Sequence, residues 1–306
     1  MAELILGVDG GGSKTRALLA GCDGAILGVG TARSSNYQSV GWDAATSALR
    51  QAIDAALSHA GANDTIVAAC FGLAGVDRPA DRELYTAWVT RQAFAPRFTI
   101  VNDAELVLAA GTPTGWGVAL ICGTGSICYG RAPDGRTARA GGWGYLLGDE
   151  GSGYDIGVQA LRLATQTADG RAQAHAVLSA ILDHWQLTDA SALIGHVYRP
   201  ETTRAMIATL GGQIANLAAQ GDSDAQAIMD RAALELGRLA AAVVRRLDLS
   251  EPPVACGGGL LVANAGLQQG IVAHAGVPLG PLRTVDDPAR GALVIARRLL
   301  ETPASR

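Results

Sequence analysis

One short pattern occurs twice in this chain of 306 residues, and it restricts the possible folds more than any other feature. In each copy an apolar run ends in a glycine turn with a hydroxyl side chain, and a second strand-like run follows. The turns lie at residues 10–13 and 123–126. Short apolar runs bounded by glycine predict buried strands, and two runs joined by a tight turn predict a hairpin. Two hairpins of one design favour a duplicated domain, although short repeats also arise by chance.

Helical and strand-like patterns alternate along the chain. Apolar residues recurring every three to four positions predict helices at 43–60, 77–94, 105–110, 154–167, 172–185, 201–219, 223–247 and 289–300. Short apolar runs predict strands at 4–8, 15–20, 25–29, 66–74, 98–101, 116–121, 127–131 and 253–256. Gly61 is a natural end for the first helix. Strands mixed with helices of this length are typical of the α/β class.

The composition excludes several classes of protein. The net charge is −4 and the sequence has no basic stripe, so nucleic acid is not an expected partner. Residues 106–130 and 252–282 carry no Asp, Glu, Lys or Arg, but glycines interrupt both stretches and neither predicts a membrane span. The first residues show no basic segment and no small-residue cleavage site. We therefore expect a cytoplasmic protein.

The cysteines do not form a metal or disulfide pattern. No two of them are spaced as C-x-x-C, and four lie in or beside apolar strand-like runs. Isolated cysteines of this kind behave as small buried hydrophobic residues. We expect this role for Cys22, Cys70, Cys122, Cys128 and Cys256.

Three glycine clusters follow predicted strands, at residues 10–12, 123–125 and 257–259. A glycine turn can bring backbone N–H groups close to an anion because no Cβ stands in the way. One such cluster is usually a plain turn, but three, two of them with adjacent hydroxyls, favour a polyphosphate ligand. The first cluster fits neither familiar nucleotide loop. Ser13 separates Gly12 from Lys14, unlike a Walker loop, and Thr15 stands where the Rossmann pattern needs its third glycine.

Two aspartates follow predicted strands. Asp9 precedes the first glycine cluster, and Asp103 follows the strand at 98–101. Open α/β sheets bind ligands at the carboxyl ends of their strands, so either carboxylate could face a ligand. The alternatives are a turn-forming role for Asp9 and a helix N-cap for Asp103.

The segment at residues 142–153 is the most unusual in the chain. Its glycines flank Trp143 and the acid pair Asp149-Glu150, ahead of a predicted helix. An aromatic ring and a carboxylate can bind the apolar face and the hydroxyls of a sugar. A structural loop that caps the helix at 154 through Ser152 would look similar, and the pattern alone leaves both interpretations open.

Several motifs occur together in one order and resemble the N-acetylglucosamine kinase group of the BadF/BadG/BcrA/BcrD ATPase family, in the sugar kinase–heat-shock–actin superfamily. They are Gly7-Val8-Asp9-Gly10-Gly11-Gly12-Ser13-Lys14-Thr15, Asn102-Asp103-Ala104, Gly123-Thr124-Gly125-Ser126, Gly142-Trp143-Gly144 with Gly148-Asp149-Glu150-Gly151-Ser152, and Gly257-Gly258-Gly259. The resemblance implies two duplicated ribonuclease H-like lobes of the actin-like ATPase fold, with an ATP cleft between them. The implied N-terminal lobe spans residues 1–112, and the C-terminal helix at 287–306 packs back on it. The implied C-terminal lobe spans residues 113–286 and contains a helical insertion.

The resemblance also implies roles for individual residues in an ATP-dependent kinase that phosphorylates the 6-hydroxyl of an amino sugar. Asp103 would be the general base, and Asp9 would hold Mg²⁺. The implied sugar contacts are Asn36, Asp103, Ser126, Gly142, Trp143, Gly144 and Asp149. The implied ATP contacts are Gly11, Gly12, Ser13, Lys14, Gly123, Thr124, Gly125, Gly257, Gly258 and Gly259. Lys14 could equally point to solvent. A homodimer is expected from the resemblance.

The identity of the acceptor sugar stays open at this point. Members of the group that phosphorylate N-acetylglucosamine often have a polar residue where this chain has Ile127, so glucosamine or a muramyl sugar is an alternative to N-acetylglucosamine. A second alternative is a partner-activating ATPase of the same family. Those activators bridge an iron–sulfur cluster through paired cysteines, which the cysteine spacing of this chain does not favour.

Overall fold

A computed structural model describes residues 2–59, 64–76, 78–112 and 114–301. The chain forms two compact units, one made of Met1–Gly115 with Asp287–Arg306 and the other of Trp116–Asp286. We call them the first unit and the second unit.

Strands and helices alternate through both units. In chain order, the strands are β1 (Glu3–Gly10), β2 (Lys14–Gly21), β3 (Ile26–Arg33), β4 (Thr65–Leu73), β5 (Arg97–Asn102), β6 (Gly117–Cys122), β7 (Ser126–Arg131), β8 (Thr137–Gly141), β9 (Val254–Gly257) and β10 (Leu282–Thr284). The helices are α1 (Tyr37–Val40), α2 (Trp42–Leu57), α3 (Pro79–Gln92), α4 (Asp103–Gly111), α5 (Gly153–Ala168), α6 (His175–Trp185), α7 (Ala192–Tyr198), α8 (Arg204–Ala208), α9 (Leu210–Ala219), α10 (Ser223–Leu247), α11 (Gly259–Ala263), α12 (Ala265–His274) and α13 (Ala289–Glu301).

The sheet of the first unit is mixed. Its strand order is β3-β2-β1-β4-β5, with an antiparallel meander from β1 to β3 and parallel pairing of β1 with β4 and of β4 with β5. The meander confirms the prediction from the first glycine hairpin. Because β1, β4 and β5 are parallel, their carboxyl ends meet at one edge of the sheet.

Glycines let two helices approach this sheet closely. A Cβ on Gly30 of β3 would lie 1.9 Å from the carbonyl oxygen of Ala52 in α2. A Cβ on Gly7 of β1 would lie 2.8 Å from the backbone nitrogen of Leu293 in α13. Contacts this short exclude any side chain, so α2 and α13 pack backbone to backbone against the sheet. The C-terminal helix therefore belongs to the core of the first unit.

The sheet of the second unit has the same strand order as the first. Its order is β10-β9-β6-β7-β8, with an antiparallel meander from β6 to β8 and parallel pairing of β6 with β9 and of β9 with β10. The central strand β6 thus takes the place of β1. Two sheets of one topology confirm the two-lobe α/β fold class that the repeated hairpin and the family resemblance predict.

The second unit departs from the predicted elements in several places. The helix predicted over 201–219 begins at Arg204 and is interrupted at Thr209, so that it forms α8 and α9. The helix predicted from 172 begins at His175. The sequence patterns missed β8, β10, α7, α11 and α12 altogether. In the first unit, Gly61 and Asp77 lie outside the described residues.

The buried cores of both units are apolar. Four of the cysteines are buried and Cys22 is partly buried, and all five are free thiols, as expected for small core residues. Among the described residues, no helix combines the length and the apolar character needed to cross a membrane.

Candidate functional site

The carboxyl edge of the first sheet carries the predicted acidic residues. In the strand register Asp9 of β1 lies opposite Gly72 of β4, and Gly72 lies opposite Val101 of β5. Asp103 lies two residues after Val101 and is the first residue of α4. The fold therefore brings Asp9 and Asp103 to the same edge of one sheet.

The start of α4 holds Asp103 in a defined position. Asn102 is the N-cap, and its side chain accepts a hydrogen bond from the N–H of Ala104 at 2.9 Å. The side chain of Glu105 accepts from the N–H of Asn102 at 3.3 Å, which completes a capping box. The alternative role of Asp103 as the N-cap is therefore wrong, because Asn102 has that role. Asp103 instead lies in the first turn, where the helix dipole stabilises a negative charge.

Arg82 of α3 supports this helix start. Its Nε donates to the carbonyl of Val76 at 3.0 Å, and its Nη2 lies 3.8 Å from Oε1 of the buried Glu105. The guanidinium thus links the chain after β4 to the residue that closes the capping box. No local sequence pattern indicates this contact, since Arg82 and Glu105 lie on different elements.

Asp9 has a strongly perturbed carboxyl. Burial raises the pKa of Asp9 to about 7, and the negative charges of Asp103 and Asp287 raise it further against the opposing charges of Lys14 and Arg16. Arg16 of β2 is paired with Asp287, its Nε lying 3.1 Å from both carboxylate oxygens. No local sequence pattern indicates this pair, whose members are 271 residues apart.

The donor chemistry around Asp9 is compatible with Mg²⁺. A carboxylate that burial and two neighbouring acids disfavour gains most from a nearby cation. Mg²⁺ in kinases is bound through one or two carboxylates together with phosphate oxygens and water. The described residues contain no cluster of three or more His, Cys, Asp or Glu side chains that could hold a metal ion alone. Asp9 therefore fits a shared site of this kind.

The first glycine turn projects its tip to solvent. The N–H of Gly11 donates to the carbonyl of Lys14 at 2.9 Å and closes the turn. Gly10 has no room for a side chain, because a Cβ there would lie 2.5 Å from the Ser35 Oγ and from a methyl of Leu73. Around Gly12, in contrast, the space is open, and Ser13 and Lys14 are exposed. Their groups are accessible to a ligand, and the Lys14 side chain forms no hydrogen bond or ion pair with the described residues.

Asn36 lies beside the end of β4. Its side chain caps α1 by accepting from the N–H of Gln38 at 3.1 Å. The Gln38 side chain in turn donates to the carbonyl of Gly75 at 3.1 Å, and a Cβ on Gly75 would lie 3.2 Å from Oδ1 of Asn36. The predicted sugar contact Asn36 therefore belongs to the same edge of the first sheet as Asp9 and Asp103.

The second glycine turn joins β6 and β7. The N–H of Gly123 donates to the carbonyl of Gly125 at 3.0 Å, and Thr124 at the tip is half-buried. The Ser126 hydroxyl is buried and donates to the carbonyl of Glu150 at 2.8 Å. The turn is thus attached directly to the segment at 142–153.

Asp149 is the buried acid of that segment. It is 7% exposed and adopts the left-handed backbone conformation with φ 62°. Its Oδ1 accepts from the N–H of Ser126 at 3.1 Å, and a Cβ on Gly125 would lie 2.7 Å from the same oxygen. Burial raises the pKa of the Asp149 carboxyl, an effect that the Ser126 N–H and the charge of Arg204 oppose. The glycine at 125 and the acid at 149 therefore fit as a pair.

Trp143 is presented on the surface of the second unit. It is 65% exposed, and the Arg139 guanidinium lies 5.3 Å from its ring centre. Gly142 before it has φ 69°, and a Cβ there would lie 2.8 Å from the Ile127 Cδ1. Glycine is thus needed at position 142, where Ile127 leaves no room for a side chain.

The third glycine cluster packs against the second glycine turn. Gly258 has φ 83°, and a Cβ there would lie 2.3 Å from the Cys122 carbonyl oxygen. The space around Gly259 is open, and Gly257 ends β9. The second unit therefore brings together residues 123–126, 142–149 and 257–259.

Ser152 fulfils the structural role that the sequence allowed. Its side chain caps α5 by accepting from the N–H of Asp155 at 3.2 Å. Because the capping residue and the acid of the segment are different side chains, the structural interpretation of Ser152 does not compete with a binding role for Asp149.

Comparison with known proteins agrees with these motifs. The chain is 36% identical to an N-acetylmuramic acid/N-acetylglucosamine kinase of Clostridium acetobutylicum, with 82% of this chain and 83% of the relative covered. It is 33% identical to an N-acetyl-D-glucosamine kinase of Dictyostelium discoideum, with 96% and 98% covered. A crystal structure from Chromobacterium violaceum, provisionally assigned as an N-acetylglucosamine kinase, is 30% identical with a TM-score of 0.72 and coverage of 96% and 98%. The profile of the BadF/BadG/BcrA/BcrD ATPase family matches residues 6–296, and the chain belongs to this family.

Proposed function

We propose that this protein is an ATP-dependent sugar kinase that transfers the γ-phosphoryl group of ATP to the 6-hydroxyl of N-acetylglucosamine. The observation that carries the proposal is the placement of Asp103. A carboxylate in the first turn of α4 lies at the sheet edge that also holds the glycine turn and Asn36. Relatives named as amino sugar kinases over most of their length support the same reaction.

Asp103 acts as the general base in this proposal. The sugar 6-hydroxyl donates a hydrogen bond to the Asp103 carboxylate and transfers its proton as the bond from O6 to phosphorus forms. The bond from phosphorus to the β,γ-bridging oxygen breaks at the same time, and ADP leaves. A positioned carboxylate contributes about 10²–10⁴-fold to such a transfer. The capping box and Arg82 fix the start of the helix that carries Asp103, and in-line transfer requires a base in a defined position.

The glycine turns hold the phosphates. The turn at residues 10–13 and the turn at 123–125 present accessible backbone at their tips, where Gly12 has open space and Thr124 is half-buried. Backbone N–H groups in such turns bind anions without a side chain in the way. Asp9 would hold Mg²⁺, which neutralises phosphate charge in this class of reaction.

The proposed acceptor contacts are the residues that the family resemblance implies. We assign Asn36 and Asp103 in the first unit, and in the second unit Ser126, Gly142, Trp143, Gly144 and Asp149. The exposed Trp143 ring offers a flat apolar surface to one face of a sugar. Asp149 keeps one carboxylate oxygen on the Ser126 N–H, so its other oxygen can accept from a sugar hydroxyl.

Members of the group that phosphorylate N-acetylglucosamine often have a polar residue at position 127, but the apolar Ile127 suits an acetamido methyl better than a free amine. Its side chain lies directly beneath Gly142, a proposed sugar contact. An apolar side chain stabilises a methyl group by contact, whereas it would remove water from the ammonium group of glucosamine at a cost in free energy. The name of the relative from Clostridium acetobutylicum makes N-acetylmuramic acid a second candidate acceptor.

The test is ADP release, measured in a coupled assay with ATP and Mg²⁺ over N-acetylglucosamine, N-acetylmuramic acid, glucosamine and glucose. We expect N-acetylglucosamine to give the highest kcat/KM, with its 6-phosphate identified by NMR as the product. Asp103→Asn should bind ATP and sugar normally but lose about 10²-fold or more in kcat. Glu83→Gln, which removes an exposed carboxylate from α3, is the matched control. ADP release that no sugar stimulates would contradict the proposed function, and near-normal kcat in Asp103→Asn would remove Asp103 from its role.

The expected homodimer is a separate prediction. Light scattering coupled to size-exclusion chromatography measures it directly.

A further inference from the structure

Building on the proposed function, we propose that Arg204 is a specificity-determining residue that binds a carboxylate on the acceptor. The acceptors would then include amino sugars with a carboxylated ether substituent, of which N-acetylmuramic acid is the available example. Three properties of Arg204 support this role: its contact with a tyrosine ring, its proximity to Asp149 and its unused N–H donors.

The Tyr145 ring lies against the Arg204 guanidinium. Arg204 is the first residue of α8, whose start is capped by the Thr203 side chain. Its guanidinium carbon lies 4.7 Å from the Tyr145 ring centre, and Tyr145 packs edge-on against Tyr154 of α5 with 5.5 Å between the ring centres. A guanidinium stacked on a supported ring loses less freedom when it binds a ligand.

This cation lies beside the proposed sugar contacts. Tyr145 follows Trp143 by two residues, and the positive charge of Arg204 reaches the carboxyl of Asp149. Arg204 therefore belongs to the immediate surroundings of the segment that we assign to the sugar. A substituent on a bound sugar needs to extend only a few bonds to come within its reach.

The donors of Arg204 are available. Its side chain is exposed, and among the described residues it has no ion pair within 4 Å and no hydrogen bond, only its contact with the Tyr145 ring. A guanidinium carries five N–H donors in a planar fork that matches a carboxylate with two parallel hydrogen bonds. The available donor set fits a planar anion.

The local charge explains why such a cation is needed. Asp149, Glu150 and Asp155 form the acidic surroundings, as the effect of the last two on the Asp149 pKa shows. A carboxylated sugar would meet repulsion from these groups unless a cation balanced them. Arg139, stacked on Trp143, is the second cation of this segment, but it also has other contacts. Arg204 is therefore the better candidate.

The experiment compares three ligands: N-acetylglucosamine, N-acetylmuramic acid and the methyl ester of N-acetylmuramic acid. Binding is measured by calorimetry and turnover by ADP release, for wild type, Arg204→Gln and Arg204→Lys. Arg199→Gln is the matched control, because it removes an exposed arginine from the part of the chain just before α8.

We expect wild type to bind the acid at least about 10-fold more tightly than the ester, in keeping with a charge-assisted contact. Arg204→Gln should remove this preference by raising the KM for the acid about 10-fold or more, while N-acetylglucosamine changes less than about 3-fold. Arg204→Lys should be intermediate, because a lysine keeps the charge but not the fork. Arg199→Gln should keep the preference of wild type.

Equal binding of acid and ester to wild type would overturn the proposal without any variant, and so would equal losses for all three ligands in Arg204→Gln. Calorimetry separates this result from the proposed function. Arg204-dependent binding of the acid without turnover of any sugar would support the proposal and contradict the kinase. Turnover of N-acetylglucosamine without binding of the acid would do the reverse.

Discussion

Replacement of Asp9 by asparagine tests the electrostatics of the first unit. Burial and the charges of Asp103 and Asp287 raise the pKa of Asp9 from 3.8 to about 7 in the folded protein. The unfolded chain loses this proton near pH 3.8, whereas the folded protein keeps it until about pH 7. The unfolded state therefore binds fewer protons between these two pH values, and Asp9 makes the stability of the fold decrease as the pH rises through this interval.

The size of the effect follows from the same two values. At about 1.4 kcal/mol for each pH unit, the interval from 3.8 to about 7 corresponds to about 4 kcal/mol above pH 7. Asparagine is similar in shape and carries no charge, so Asp9→Asn should avoid this loss. The variant should be more stable than wild type, and the difference should grow by about 3 kcal/mol between pH 5 and pH 8.

Urea unfolding at pH 5, 6, 7 and 8 measures this difference. Asp54→Asn, which removes an exposed carboxylate from α2, is the matched control and, as a surface substitution, should change the free energy of unfolding by less than about 0.5 kcal/mol. A stability difference between Asp9→Asn and wild type that stays constant over this range would refute the reasoning. A difference that shrinks as the pH rises would refute it as well, because the sign would be opposite to that of a raised pKa.

Two further substitutions test positions that hold the site. Asn102→Ala removes the N-cap of α4 and should lower the free energy of unfolding by about 1 kcal/mol, with a fall in kcat and little change in the KM for ATP, as urea unfolding and steady-state kinetics would show. Normal kcat in this variant would contradict the positioning role of the cap. Gly291→Ala would place a Cβ 2.0 Å from the Leu106 carbonyl oxygen and should destabilise the first unit by more than about 3 kcal/mol. Gly212→Ala, in a helical position with open space, should instead stabilise the protein by about 0.5–1 kcal/mol, and equal effects of both alanines in thermal unfolding would contradict the packing argument.

The sequence predicted the strands with strong patterns and missed those without them. The meander of β1 to β3 and the hairpin of β6 and β7 follow from continuous apolar runs and glycine turns. Strand β8 has only five residues, Thr137–Gly141, and two alanines are its only apolar side chains. Strand β10 has three, and only Leu282 among them is apolar. Such strands form because a neighbouring strand offers backbone partners, which no local pattern records.

Helix boundaries in the second unit depended on tertiary contacts in the same way. The pattern over 201–219 reads as one helix, but the chain turns at Thr209 so that α8 and α9 pack separately on α5. Gly211 at the start of α9 has its Cβ position only 3.0 Å from the Cα of Gly153. This close approach of two glycines fixes where α9 can begin, and periodicity does not reveal it.

The candidate site was likewise predictable only in part. Its glycine turns and acids occur in short motifs, so Asp9, Asp103, Asp149 and the three glycine clusters could be named from the sequence. The groups that support them could not, because they come from distant elements. Arg82 reaches the cap of α4 from α3, and Asp287 reaches Arg16 across 271 residues.

The two units share a topology but differ in the chemistry at corresponding edges. The central strand of the first sheet ends with Asp9-Gly10, and within electrostatic reach of Asp9 lie Asp103 and Asp287. The central strand of the second sheet ends with Ile121-Cys122 and leads into a glycine turn. Three acids in one unit would repel a polyphosphate unless a cation intervened.

The free energy of the ionised Asp9 carboxylate also favours a cation at this edge of the sheet. Ionised, it costs the folded protein up to about 4 kcal/mol, so the fold alone gains nothing from an acid there. A cation beside Asp9 would stabilise its ionised form and so offset this cost. Metal binding would therefore be coupled to the charge state of the first unit. A position that costs the fold free energy is thus one that the proposed reaction uses, as expected where a sequence gives up stability for function.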